Sequence, residues 1–319
     1  MPPILRLAPR LVPRPWGGAR LSTLLGKKCS PAEKIGETWE LSDRPDTPSA
    51  IEGGPHHGRL FGDLIREFPK EMIGRNQPPP RFPLLVKYID AAEDLSIQVH
   101  PDDEYAERKG LGDRGKTECW YILDCHANGE IIFGLREGVG PHDLERAIRE
   151  GTVDAAVRRA PISPGDFLFV PAGTVHAILA GTLLCEIQQS SDLTFRLWDW
   201  NRVPARPLHI RESLEVARYR PTAIPAIATR SDNSTGLVLD LTRNRFFQVR
   251  LASLPPRSRL TVTQPGHGLI LNGVLGSCSV NRLDLSLGGT LFIPACVSEI
   301  ELEAGEKGAA VLLTESLEV

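Results

Sequence analysis

Along the chain, short apolar runs alternate with polar residues and are cut off at close intervals by glycine, proline, asparagine and aspartate. PLLVKYID, LSIQVH, ECWYIL, EIIFGL, DFLFVPAG, LLCEIQQ and LTFRLWDW lie in the first two thirds; FFQVRLASL, LTVTQ, GLILNGV, TLFIPA and AAVLLTE follow in the last. A period of two buries one face of a strand and leaves the other free, so many short strands between turns predict a mainly β sandwich or barrel. Helical spacing is rarer. It predicts a helix in GDLIREFPKEMIG, where Leu64, Ile65 and Phe68 share a face, a second across GPHDLERAIREGTVDAAVRRA, with Leu144, Ala147 and Ile148, and a third in RESLEVARYR. These read as a few peripheral helices on a β core.

The periodic pattern fails between Arg220 and Gly236, RPTAIPAIATRSDNSTG, which reads as a linker. The expected division is an N-terminal domain over 1–225, with helical insertions, and a C-terminal domain over 236–319 made of strands and turns. One unit recurs in both. GDFLFVPAGTVHAI from Gly165 and GGTLFIPACVSEI from Gly288 share Gly, Leu, Phe, Pro and Ala at equal offsets, with His176 answered by Glu299 and Gly173 by Cys296.

At 319 residues, 41% hydrophobic and 24% charged, the chain can bury a sizeable core and has no signature of disorder. A net charge of -3 gives no electrostatic footprint for nucleic acid or an anionic membrane. There is no apolar span of about 18 residues, and prolines and arginines interrupt the opening MPPILRLAPRLVPRPWGG, which makes the cytoplasm the default expectation. Six scattered cysteines without CxxC spacing read as reduced thiols.

The candidate chemistry begins in LSIQVHPDDEYA. Gln98 and His100 are two apart, so on a strand they aim at one point, and Pro101 then ends the ladder. Gly165, Pro171, Gly173 and His176 match the spacing of the second motif of the cupin superfamily, which closes on a metal-binding histidine. Gln98, His100 and Glu104 resemble the first, with glutamine for its first histidine. Two carboxylates compete as the next ligand. Glu104 opens a helical turn and need not face His100, whereas Glu118 opens the alternating strand of GKTECWYIL, expected to pair with LSIQVH as a long hairpin; Glu118 is the better candidate. Cys119 beside it points to the other face. Two imidazoles, a carboxylate and an amide oxygen suit Zn²⁺, with Mn²⁺, Fe²⁺ or Co²⁺ able to use the same cage, and too few soft ligands are present for a structural zinc.

RPWGG, GETWELSDRPD, LLVKYIDAAEDLSIQVHPDDEYA, GKTECWYIL, VPAGTVHAI and SSDLTFRLWDWNR, in that order over about the first 200 residues, together resemble the type I mannose-6-phosphate isomerases, the zinc-dependent phosphomannose isomerases of the cupin superfamily. The length resembles the short bacterial form, which has two cupin (jelly-roll) barrels and a single metal. The resemblance implies one Zn²⁺ per chain on Gln98, His100, Glu118 and His176. It also implies an active-site row of Lys87, Ser96, Lys116, Glu186, Asp192 and Arg196, and an interconversion of mannose 6-phosphate and fructose 6-phosphate through an enediol(ate). For the base, Lys116 is the expectation, alone or with Glu186, because a neighbouring divalent cation disfavours an ammonium; Arg196 suits developing negative charge. The phosphate is expected on Arg202 first, then Lys87 and Ser96. Trp16 and Trp39 are candidates to line the pocket. Long forms carry an aromatic residue where this chain has Ile178, and the general cupin motif an asparagine where it has Ala180. The expected partner is a small sugar phosphate, with no nucleic acid and no membrane, for a monomer or homodimer. The rival readings are a non-catalytic sugar-phosphate-binding regulator, an oxygenase on the same fold, and an isomerase of a related or unphosphorylated sugar.

Overall fold

A computed structural model describes residues 3–220, 226–228, 237–264 and 266–318. Within them the chain is mainly β, with a few short helices, as the alternation predicts. The strands form three sheets. A seven-stranded sheet runs Ala226–Ala228, Asp166–Val170, Glu118–Asp124, Thr182–Gln189 and Leu84–Ala91, with Arg10–Gly18 and Ile35–Leu41 at its far side. A five-stranded sheet runs Phe195–Trp198, Ile97–Val99, His176–Ile178, Glu130–Leu135 and Val157–Pro161. These two pack face to face on a core that takes Trp120, Ile122, Leu168 and Leu184 from the first and Ile131, Phe133 and Ile178 from the second.

The third sheet is built on the long strands Leu269–Val280 and Glu299–Ser316 and encloses its own core of Leu271, Val280, Ile300, Leu302 and Leu313. It also receives chain from the N-terminus: Leu5–Ala8 pairs with Thr290–Ile293. Phe61 and Phe82 meet Phe292 edge to face, at centroid distances of 4.9 and 6.0 Å, so the third sheet and the helical insertion share aromatic packing. The repeat is structural as well as textual. Gly165 and Gly288 both take positive φ, 91° and 77°, immediately ahead of the matching strands.

Three expectations change. GDLIREFPKEMIG forms two helices, Phe61–Glu67 and Pro69–Ile73, because Phe68 before proline leaves the helical region at φ −129°, ψ 56°. The next predicted helix stops at Glu150, where Gly151 caps it in the left-handed region at φ 72°, and VRRAP goes on as the strand Val157–Pro161. The hairpin between ECWYIL and LSIQVH does not form. Glu118–Asp124 pairs with Asp166–Val170 and Thr182–Gln189, while Ile97–Val99 pairs with strands of the facing sheet. Of the predicted linker, 221–225 and 229–236 lie outside the described residues, and with them the expected domain boundary.

Candidate active site and metal centre

The facing sheets decide how the ligand candidates meet. Gln98 and His176 are direct partners across neighbouring strands of the five-stranded sheet, and His100 follows at the end of the first of these. Glu118 comes from the opposite sheet. His100, Glu118 and His176 are all buried, and their ligand atoms lie within 4.8 Å of one another. The His100 Nδ1–H donates to Leu193 O at 2.8 Å and the His176 Nδ1–H to Thr174 O at 2.8 Å. With one ring nitrogen fixed by a backbone carbonyl, the other presents a lone pair inward. Each Nε2 then faces one oxygen of Glu118, at 3.6 Å from His100 and 3.4 Å from His176. The Gln98 amide stands 3.3 Å from His176 Nε2.

The donor set fits a divalent cation. Both Glu118 oxygens are buried; Lys116 pairs with Oε2 at 3.0 Å, while Oε1 has no donor, an arrangement that a bound cation would relieve. Burial pushes the Glu118 carboxyl up; Lys116, 3.0 Å away, pulls it back only in part and Glu186 adds to the rise, to about 7. Burial also keeps the imidazoles neutral, His176 at about 4 and His100 well below its usual value, and neutral imidazole is the form that binds metal.

Beside this cluster lies a cavity of about 290 Å³, lined by Trp16, Ser96, Gln98, Lys87, Lys116, Glu186, Asp192 and Arg196 among others. The structure therefore brings the row implied by the resemblance into one cavity, from both facing sheets. Glu104 is exposed and pairs with Arg108. Burial would lower the Lys116 ammonium, but Glu118 and Glu186 outweigh it and hold it above the ordinary lysine value. Burial likewise opposes the Glu186 anion, and Lys116 and Lys87 outweigh it, so Glu186 stays below the usual carboxylate value. Lys87 Nζ is 3.3 Å from Glu186 Oε1, and Trp120 Nε1 donates to Glu186 Oε2 at 3.1 Å.

Two expectations about the pocket do not hold. Arg202 is absent from the lining; it donates to Asp94 O and sits against Asp199 and Glu93 at 3.7 and 3.8 Å. Trp39 is off the lining too, with Lys87 5.0 Å from its ring centroid.

Three charged lining residues escape the sequence reading: Arg14, Glu37 and Arg206. Glu37 had a signal, since Glu37 and Trp39 are two apart in GETWELS and share a strand face. Its Oε1 accepts from Arg14 Nε at 2.7 Å, its Oε2 from Trp39 Nε1 at 2.7 Å, and Lys87 lies 3.8 Å away. Burial would raise this carboxyl; Lys87 and Arg14 reverse the effect and hold it at about 2. A carboxyl depressed from its ordinary 4.5 to about 2 contributes stability that is fully present above the unfolded value and is lost as pH falls through that window. The contribution is about 3 kcal/mol. Urea unfolding at neutral pH and at pH near 2.5 is expected to show Glu37→Gln much less stable than the parent at the first and close to it at the second.

The glycines of RPWGG and IGETW meet across neighbouring strands. A Cβ on Gly36 would lie 2.6 Å from both Arg14 Cβ and the Trp16 ring, and one on Gly17 would lie 2.5 Å from Gly36 N. This close approach lets Arg14 and Trp16 reach the cavity. Gly36→Ala is expected to cost about 1–3 kcal/mol through overpacking, with a change in tryptophan fluorescence as Trp16 is displaced; unchanged melting and emission would contradict it.

A family profile described as "Phosphomannose isomerase type I, catalytic domain" matches residues 4–137. Mannose-6-phosphate isomerase ManA of Bacillus subtilis is 40% identical over 221 residues, covering 68% of this chain and 67% of that protein. The crystal structure of the mannose 6-phosphate isomerase from Bacillus subtilis superposes with a TM-score of 0.84 at 30% identity, over 98% of this chain and 100% of that one. The chain belongs to the type I mannose-6-phosphate isomerase family. Its fold agrees with that membership over its length, and a member from Streptococcus mutans is 40% identical over 63% of the chain and 63% of its own length. Among the described residues no helix is long and apolar enough to cross a membrane.

Proposed function

We propose that the chain interconverts D-mannose 6-phosphate and D-fructose 6-phosphate through an enediolate, with one Zn²⁺ held by Gln98, His100, Glu118 and His176. The observation that carries the proposal is the buried Glu118 carboxylate, its Oε1 without a donor, between two inward Nε2 atoms at the edge of a cavity lined by paired lysines and carboxylates. A divalent ion held by these residues would supply Lewis acidity to a sugar oxygen and so would make the adjacent carbon more acidic.

The rest of the chemistry belongs to side chains. Isomerisation takes a proton from C2 of the aldose and returns it to C1, while a proton moves between O1 and O2. Glu186 is held as an anion by Lys116 and Lys87, and its Oε1 is tied only by the Lys87 ion pair at 3.3 Å, so it is suited to take and return the carbon-bound proton. Lys116, kept cationic by its two carboxylate neighbours, places an ammonium where the enediolate oxygens develop charge. Arg196 sits opposite Gln98 on the neighbouring strand and adds a guanidinium that stays protonated. Lys87, itself set against Glu37, fixes Glu186; Ser96 and Trp16 shape the wall, and Asp192 stands at its exposed edge.

We further infer two cupin-type units, 1–225 with the metal and 236–319 without it. The second copy of the repeat supports this, because an exposed glutamate, Glu299, stands where the first has buried His176. A coupled assay of the zinc-loaded protein tests the activity. Reduction of NADP⁺ through phosphoglucose isomerase and glucose-6-phosphate dehydrogenase is expected on addition of mannose 6-phosphate; a fully loaded, folded protein without turnover would identify a binding protein.

A further inference from the structure

Most cations on the cavity wall are matched by acids. Lys116 has Glu118, Lys87 lies between Glu37 and Glu186, and Arg14 is on Glu37. Arg196 and Arg206 are different. Arg196 makes no ion pair among the described residues: its Nη1 donates to Pro207 O at 2.9 Å, and its buried Nε has no acceptor. Arg206 is held by a two-pronged pair, Nε to Asp199 Oδ2 at 2.7 Å and Nη2 to Asp199 Oδ1 at 2.5 Å, a pair that does not use Nη1. Asp199 is only 6% exposed. It is also the acid nearest Arg202, which packs against it at 3.7 Å, so two guanidiniums share one buried carboxylate while Arg196 has none. Burial and then Arg206 depress the Arg196 guanidinium below its ordinary value, as expected where like charges crowd a partly dry wall. With Arg196 left without a paired acid, this part of the lining carries an excess of positive charge, which a dianion entering the cavity would offset.

We infer that Arg206, oriented by Asp199, is the residue that distinguishes a phosphorylated sugar from a free one, by receiving the phosphoryl oxygens on its unpaired edge. The inference rests on the isomerase reading for the identity of the substrate, though not for the presence of an anion site. Asp199 is a positioning residue: with one edge of the guanidinium fixed, the planar fork can present the other to two oxygens at once, which a lysine at this position could not reproduce. Arg196, beside Gln98 in the sheet, lies between this anion site and the metal ligands and serves the reacting end. Arg202 acts from behind, turned toward Asp94 and Glu93.

The test uses the zinc-loaded full chain and the variants Arg206→Ala, Arg206→Lys and Asp199→Asn. Losing a charge-assisted contact is expected to raise KM for mannose 6-phosphate by about 10- to 100-fold in Arg206→Ala, with a much smaller change in kcat. Calorimetric affinity for inorganic phosphate is expected to fall in parallel, with partial recovery in Arg206→Lys and a raised KM in Asp199→Asn. Arg196→Ala is expected to show the opposite split, with kcat falling more than KM rises. Parent-like KM and phosphate affinity in Arg206→Ala would overturn the inference. Should Arg206→Ala fail to fold, Arg206→Lys and Asp199→Asn decide by the same split. If the parent binds inorganic phosphate in an Arg206-dependent way without turning over any sugar phosphate, the isomerase reading fails and the anion site stands.

Discussion

Replacing His176 by alanine is expected to abolish both metal retention and isomerase activity. His176 supplies one of the two inward Nε2 atoms, and its ring is completely buried and fixed by Thr174 O, so no neighbouring group can take its place. Loss of the proposed cation is expected to remove several kcal/mol of transition-state stabilisation, on the order of a thousandfold or more in rate. The same change leaves Glu118 with one partner fewer in a dry site, so the variant is also expected to melt lower than the zinc-loaded parent. Elemental analysis after gel filtration, followed by the coupled assay, checks both halves. A variant that keeps stoichiometric zinc would remove His176 from the ligand set.

The second large effect is expected at Lys116. Its Nζ lies 3.0 Å from Glu118 Oε2 and 3.2 Å from His100 Nε2, at the border between the ligand cluster and the cavity. Lys116→Met keeps the length of the side chain and deletes the ammonium. Without that charge the enediolate oxygens lose their cationic neighbour, and kcat is expected to fall by about 10²- to 10⁴-fold. Zinc content is expected to be retained, because all four proposed ligands remain. The two variants thus separate two functions that share a few ångströms: one loses metal and rate together, the other rate alone. If Lys116→Met also loses its zinc, the lysine would be acting through the ligand geometry and not on the sugar.

Much of this site was legible because strand periodicity is local. Gln98 and His100 are two residues apart on one extended segment, and the choice of Glu118 over Glu104 followed from strand against helical turn. Which sheet Glu118 belongs to was not legible. The sequence offers a hairpin between neighbouring segments, whereas the folded chain sends Glu118–Asp124 to Asp166–Val170 and Thr182–Gln189 and closes the cluster across the gap between sheets. Such pairing is set by which faces must be buried against each other, information spread over the whole chain. Arg202 and Arg206 illustrate the same limit on a smaller scale. Both lie in a loop after an alternating strand, where no period states which side chain turns inward, and Asp199 decides it by taking Arg206 in a two-pronged grip. The helices erred at their ends for local reasons, a residue before proline at Phe68 and a left-handed glycine at Gly151.

The most direct test removes zinc by dialysis against a chelator and returns it in measured steps while isomerase activity on mannose 6-phosphate is followed. Activity is expected to vanish in the apo protein and to rise linearly to a break at one Zn²⁺ per chain. Full activity in a protein shown to be free of metal, or a break at two ions, would contradict a single centre on Gln98, His100, Glu118 and His176.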